Sequence, residues 1–350
     1  MEKLTVAVAG CHRMVTRTAG SHNFGAALQA VAETDVVAVF DFDSATRDEF
    51  TTCWEDVWPD VVTYDDYEQM MTVVQPDLLC LATRQTMHAG QIEIAVQSGV
   101  KGILCDKPLV TSLAEMDRVL SACRDVPLLF ALDRRWFDRY RTIRRLIAEG
   151  LVGDVTSIVS YGLSNLINHG CHWYDSLLAL AGDVEPIWVS GFVEDLSDEP
   201  ADSRRRIDPS GRAQIGLDNG VVLYITADGK YAGQGLPMSF EVVGQKGRLF
   251  VLNDANQTYH WTPEEPLQMK TVEVPPATES WAAGPAMVTD LVAAVANGKR
   301  TACDVDQARR ATEIGFAIHQ SSAANGSRID LPVTDRSLRI GSFPWGNEPT

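Results

Sequence analysis

The sequence predicts an α/β protein: an N-terminal doubly wound parallel sheet followed by a C-terminal α+β domain with a mostly antiparallel sheet. Three observations carry this prediction. Over the first 130 residues, short apolar runs alternate with stretches of helical period, the pattern of consecutive βαβ units. Near residue 150 the pattern changes to longer strand-like segments joined by DNG and QKG turns. The length of 350 residues suits two domains of about 100–200 residues each, which we place at 1–130 and 131–350.

The elements follow in order. LTVAVAG (4–10) is a buried strand and NFGAALQAVAET (23–34) a helix. Residues 35–41 give a strand, 67–75 a helix and 76–83 a strand. A helix at 88–99 closes on Gly99, and a strand at 101–108 breaks at Pro108. A helix at 113–125 and a strand at 127–132 complete the sheet. Such a sheet has right-handed crossovers and a crevice at its strand ends where ligands bind, which is the Rossmann-type plan for a dinucleotide. An amphipathic helix at 139–153 opens the second domain. Strand-like segments follow at 154–162, 185–195, 212–229, 239–253 and 270–276, then helices near 284–298 and 305–325. The junction of the domains is the expected active site.

Composition narrows the function. A net charge of −17 disfavours nucleic acid, whose phosphates want Lys and Arg. No apolar stretch approaches the roughly 18 residues of a membrane helix, and MEKLTVAVAG lacks a signal-peptide layout, so a cytoplasmic location is expected. Seven scattered cysteines without a CxxC pair fit free thiols in a reducing compartment.

The stretch after the first strand is unusual. Gly10 is followed by Cys11, His12, Arg13 and Met14, and the next glycine is Gly20. Asp41, at the end of the second strand, can accept hydrogen bonds from an adenosine ribose. It lies 31 residues beyond Gly10 and 21 beyond Gly20, against a usual spacing of about 20. The simplest account is an elongated phosphate loop from Gly10 through His22, with Ser21 or Asn23 capping the next helix and His12 and Arg13 adding positive charge. The alternative is an ordinary strand–loop–helix with no ligand.

Three later segments bear on the choice. In 76–120 a strand ends on Ala82, Thr83 and Arg84, His88 follows five residues after Thr83, a helix runs to Gly99, and the next strand ends on Asp106, Lys107 and Pro108. This resembles the central segment of the Gfo/Idh/MocA family of NAD(P)-dependent oxidoreductases. LDRRWFDRYRTIRRLIAEGLVGDVTSI (132–158) and NHGCHWYDSLLALAG (168–182) resemble its next two blocks. The resemblance implies a nicotinamide cofactor along Ala82, Thr83, Arg84, His88 and Asp106, with Arg135 and Trp136 beside the nicotinamide and substrate. It also implies an acid–base role for Lys107 and His172. Asn168 occupies a position that is often Asp in the family, and an amide cannot accept a proton.

The residues support these roles independently. A lysine in a crevice can polarise a substrate hydroxyl, and a histidine of near-neutral pKa can take its proton. Asn168, His172 and Asp175 are spaced i, i+4 and i+7, one face if the helix is continuous there. His169 is either a substrate contact or a core histidine. His169, Cys171, His172 and Asp175 are also metal-ligand types, but no second cluster accompanies them and no metal is expected. The expected function is NAD-dependent hydride transfer to or from a sugar, sugar derivative or cyclitol, with Asp41 favouring NAD over NADP. The expected assembly is a dimer or tetramer. Alternatives are transient use of tightly held NAD for sugar elimination or glycosidic cleavage, and a non-catalytic binding relative.

Overall fold

The computed structural model describes residues 3–18, 22–162, 165–198, 200, 204–226, 238–278 and 281–340. In chain order it has β1 (Leu4–Ala9), α1 (Phe24–Gln29), β2 (Thr34–Phe40), α2 (Ser44–Trp54), β3 (Val62–Tyr64), α3 (Tyr67–Val74), β4 (Leu78–Leu81), α4 (Gln85–Gln97), β5 (Gly102–Cys105), α5 (Leu113–Ala122) and β6 (Leu128–Phe130). There follow α6 (Asp138–Ala148), β7 (Val155–Tyr161), α7 (Gly170–Leu180), β8 (Pro186–Val193), α8 (Arg204–Ile207), β9 (Gly211–Leu217) and β10 (Val222–Thr226). The last elements are β11 (Ser239–Gly244), β12 (Gly247–Leu252), β13 (Gln257–Trp261), β14 (Lys270–Thr271), α9 (Ala283–Asn297), α10 (Val305–Ala323) and β15 (Ile329–Asp330). Two compact units result: Met1–Trp136 with Thr278–Ala308, and Phe137–Ala277 with Arg309–Thr350.

The first unit is a six-stranded parallel sheet in the order β3-β2-β1-β4-β5-β6. Its inner strands are mainly apolar runs because both faces are covered; β4 and β5 are buried at every residue. The order reverses between β1 and β4, the switch point of a doubly wound sheet. Helix α1 is shorter than the expected 23–34: Thr34 Oγ1 donates to the carbonyls of Leu28 and Val31, closing the chain into β2. Residues 281–308, expected in the second domain, belong to this unit instead. Phe130 N–H donates to the Cys303 carbonyl and Thr301 Oγ1 to the Leu128 carbonyl. Helix α9 lies so close to β5 that a Cβ on Gly102 would come within 2.7 Å of Val295 Cγ2.

The second unit is a nine-stranded sheet in the order β14-β13-β12-β11-β7-β10-β9-β8-β15. Among the described residues, only the β7–β10 pair of this sheet is parallel. Both expected hairpins form, for different reasons. Gly220 takes φ +85° in the β9–β10 turn. Gly247 does not need a positive φ; a Cβ there would sit 2.4 Å from the Trp261 carbonyl oxygen, so close strand approach selects it. On α10, Glu313 is fully buried and binds Arg309, Arg336 and the Val333 amide, pinning the chain after β15 to the helix.

Candidate active site

The strand ends of the first unit gather most of the expected cofactor residues. Gly10 has φ +83°, and a Cβ there would lie 2.6 Å from the Ala82 carbonyl oxygen, so only glycine lets β1 close against the end of β4. The Ala82 amide donates to the Ala9 carbonyl at 2.8 Å. Beyond Gly10 the elongated loop is built and anchored. His12–Met14 form a single 3-10 turn with His12 and Arg13 exposed. Met14, expected along the cofactor by position, is fully buried, and Trp54 Nε1 donates to its carbonyl at 2.6 Å. Asn23 caps α1 through Ala26 N–H, and its amide nitrogen donates to the carbonyls of Thr16 and Thr18. Ser21, the other candidate cap, lies outside the described residues.

Asp41 directly follows Phe40, the last residue of β2. Its Oδ2 accepts the Cys11 amide at 3.0 Å and its Oδ1 the Asp43 amide at 3.2 Å. A carboxylate offers about four lone-pair sites, so sites remain for a ribose hydroxyl. Burial, then the Asp41 charge, push the Cys11 thiol far above its ordinary range and make it a neutral packing group. A switch point, a glycine that closes it and an acidic strand end together fit a dinucleotide.

On the other side of the switch point, two residues beyond β4, the Thr83 hydroxyl donates to Gln91 Oε1. Arg84 is exposed at the start of α4. His88 is buried, its Nε2 at 3.0 Å from the Thr83 carbonyl and its Nδ1 at 3.1 Å from the Leu109 carbonyl. Burial pushes its pKa below the ordinary value, so the neutral ring braces the end of β4 against the turn after β5. That turn carries Asp106 and Lys107, with a cis peptide between Lys107 and Pro108. Asp106 Oδ1 accepts the Lys107 amide and faces His22 Nδ1, each at 2.8 Å. Burial alone would raise the Asp106 pKa. The charge and hydrogen bond of His22, then the Lys107 ammonium and amide, hold it far below the usual carboxylate range.

After β6, Arg135 and Trp136 are both buried, at 4% and 3% exposure, and Arg135 Nη1 donates to the Ala302 carbonyl. Asp133 accepts Trp281 Nε1 at 3.1 Å. Trp281 was not singled out by the sequence, because only the fold returns residues 278–308 to this sheet.

In the second unit, α7 begins at Gly170 with His169 as its N-cap residue. Asn168 therefore precedes the helix, and the expected three-residue face reduces to His172 and Asp175, 6% and 1% exposed. The segment before the helix is held from several sides. Asp208 accepts the amides of Ile167 and Asn168, at 3.0 and 2.8 Å. Asn165 Oδ1 accepts the His169 amide at 2.7 Å, and Tyr174 Oη donates to the Leu166 carbonyl at 2.9 Å. Ser176 Oγ donates to the His172 carbonyl. No spacing in the sequence ties Asp208 to residues 167–168. Among the described residues, no group of three His, Cys, Asp or Glu side chains is placed to hold a metal.

Comparison with known proteins bears on this arrangement. Residues 4–133 match the family model described as an oxidoreductase family with an NAD-binding Rossmann fold, and residues 162–331 match its C-terminal alpha/beta domain. The chain is 32% identical over 92 residues to D-apiose dehydrogenase of Paraburkholderia graminis, covering 26% of this chain and 24% of that protein. It is 24% identical over 221 residues to myo-inositol 2-dehydrogenase of Thermotoga maritima, covering 58% and 64%. The chain thus spans less than two thirds of these curated relatives. A levoglucosan dehydrogenase solved with NADH superposes with a TM-score of 0.77 at 17% identity, over 95% of this chain and 100% of that one, a likeness of fold. With both of its domains matched in order, the chain belongs to the Gfo/Idh/MocA oxidoreductase family.

Proposed function

We propose that this protein is an NAD-linked dehydrogenase or reductase acting on a hydroxyl-bearing carbon of a sugar, sugar derivative or cyclitol. The observation that carries the reading is the Asp106–Lys107 turn at the end of β5, one strand from the switch point, in a chain of this family. When bound, the nicotinamide supplies the hydride acceptor or donor. Gly10, His12, Arg13 and Ala82–Arg84 line the cofactor, and Asp41 receives the adenosine ribose. Its negative charge opposes a 2′-phosphate, which selects NAD over NADP. Lys107 polarises the substrate oxygen. His172 takes the hydroxyl proton as the carbonyl forms and returns it in the reverse direction. Asn168 and His169 orient the substrate without titrating at Asn168, so proton transfer falls to His172. Arg135 and Trp136 act by shaping the site through packing.

Seven free thiols fit a reducing compartment, and we place the enzyme in the cytoplasm. No helix among the described residues is long and apolar enough to cross a membrane. The outer residues of the nine-stranded sheet, among them Val159, Tyr161 and Tyr224, are the surface we assign to a homodimer or homotetramer.

The test is a panel of sugars and cyclitols, including D-apiose, myo-inositol and levoglucosan, incubated with NAD while absorbance of the reduced cofactor is followed. Turnover of at least one is expected. His172→Ala is expected to lose about a hundredfold or more in kcat, the range of general acid–base catalysis, and still bind NADH. Unchanged turnover in that variant removes His172 from the mechanism.

A further inference from the structure

We propose that His22 is a positioning residue: from the loop between β1 and α1 it fixes the Asp106 carboxylate and the Lys107 main chain, and so sets the nicotinamide half of the dinucleotide site. This inference rests on the cofactor reading above.

The position of the contact comes first. In the sheet, β4 lies between β1 and β5, so a residue of the loop after β1 reaches past one strand end to meet the turn after β5. His22 and Asp106 are 84 residues apart in sequence, and their bond, with Nδ1 2.8 Å from Oδ1, is part-buried. The oxygen that faces the imidazole is the one that accepts the Lys107 amide. Any shift of His22 is therefore transmitted to the main chain of the lysine assigned to the substrate oxygen.

The imidazole is also held from its own side. His22 has φ +64°, a left-handed conformation uncommon outside glycine that Asn, Asp and His adopt more readily than other residues. Such a conformation persists where the surroundings over-determine it. Asn23, the next residue, is fixed by its cap bond to Ala26 and by donation to the carbonyls of Thr16 and Thr18. The Trp281 ring packs on the imidazole at 5.6 Å between centroids, 32° from parallel, and is itself tied to Asp133. Phe24 meets the Trp281 ring edge-on at 5.4 Å. Residues from three separate stretches of the chain thus converge to aim one nitrogen at one carboxylate oxygen.

The functional consequence follows from the topology. A dinucleotide lies across the strand ends of such a sheet, one mononucleotide half on each side of the switch point. Asp41 stands on the β2 side and Asp106–Lys107 on the β5 side. Loss of the His22 bond should weaken contacts to the nicotinamide half and spare the adenosine and pyrophosphate.

Titration calorimetry of the wild-type chain, His22→Ala and His22→Asn with NADH and with ADP-ribose tests this, since ADP-ribose carries everything but the nicotinamide. Asn tolerates a left-handed backbone and offers an amide donor near the place of Nδ1. NADH affinity is expected to fall about tenfold in His22→Ala, the worth of one charge-assisted hydrogen bond, and to return to within about threefold of wild type in His22→Asn. ADP-ribose affinity should stay within about twofold throughout, which also reports that each variant is folded. Equal loss of both ligands, unchanged NADH affinity in His22→Ala, or no recovery in His22→Asn overturns the proposal. If the wild-type chain binds neither ligand, the cofactor reading itself falls, and the proposal with it.

Discussion

His88 and His22 both stand at the ends of the parallel strands, and they are wired differently. His88 faces two backbone carbonyls and is 1% exposed. His22 faces a carboxylate, packs against Trp281 and retains 9% exposure. Deep burial, outweighing carbonyl partners that favour the charged ring, makes the first a neutral brace between two loops. The carboxylate partner ties the second to the turn that carries Lys107. The same residue type thus braces backbone in one place and, in the role proposed for His22, positions a side chain in the other, and the partner atom decides which.

The largest effect should separate the two in stability. His88→Ala leaves a cavity and removes the single N–H that the neutral ring offers the facing carbonyls, an expected cost of roughly 4 kcal/mol. His22→Ala removes one of the donors to Asp106 and should cost about 1–2 kcal/mol. Urea unfolding of both variants measures this, and equal costs would erase the distinction.

A smaller effect lies in the pH dependence. Burial lowers the folded-state pKa of His88, so below its unfolded value of about 6.5 the unfolded chain takes up a proton that the folded chain refuses. The stabilisation is present above that value and is lost as pH falls through it. His260 and His319, the latter pushed down to about 4 by burial, act in the same direction. The folded-state pKa of Asp106 is also depressed, but its contribution is lost only as pH falls below about 4, the ordinary carboxylate range. Between pH 7.5 and 5.5, unfolding free energy should fall less steeply for His88→Ala than for wild type. Parallel slopes for the two chains would show that His88 is not neutral in the folded state.

The contrast also shows which parts of the molecule are legible from sequence. The inner strands are, because a parallel strand covered on both faces must be a continuous apolar run. The edge strand β3 and the polar helix α2 carry no such signal: Val62 and Thr63 are exposed, and only Thr46, Phe50 and Trp54 of α2 are buried. The period of α9 marks it as a helix but does not name its partner, and its contact with Gly102 places it on the first sheet. At the site, Pro108 and the strand before it advertise the Lys107 turn. The tie from His22 to Asp106 and the Asp208 clamp on residues 167–168 join positions 84 and about 40 residues apart, a relation that spacing cannot express. The three-residue face of α7 fails for a local reason, since the turn held by Asn165 starts the helix two residues after Asn168.

The central claim is that the strand ends of the first unit bind NAD through an acidic residue that excludes a 2′-phosphate. Fluorescence titration of the wild-type chain with NADH and NADPH tests it most directly. Saturable NADH binding is expected, with NADPH weaker by about tenfold or more because the phosphate meets Asp41. Equal affinity for the two would remove Asp41 from its assigned role, and the absence of binding by either would contradict the account.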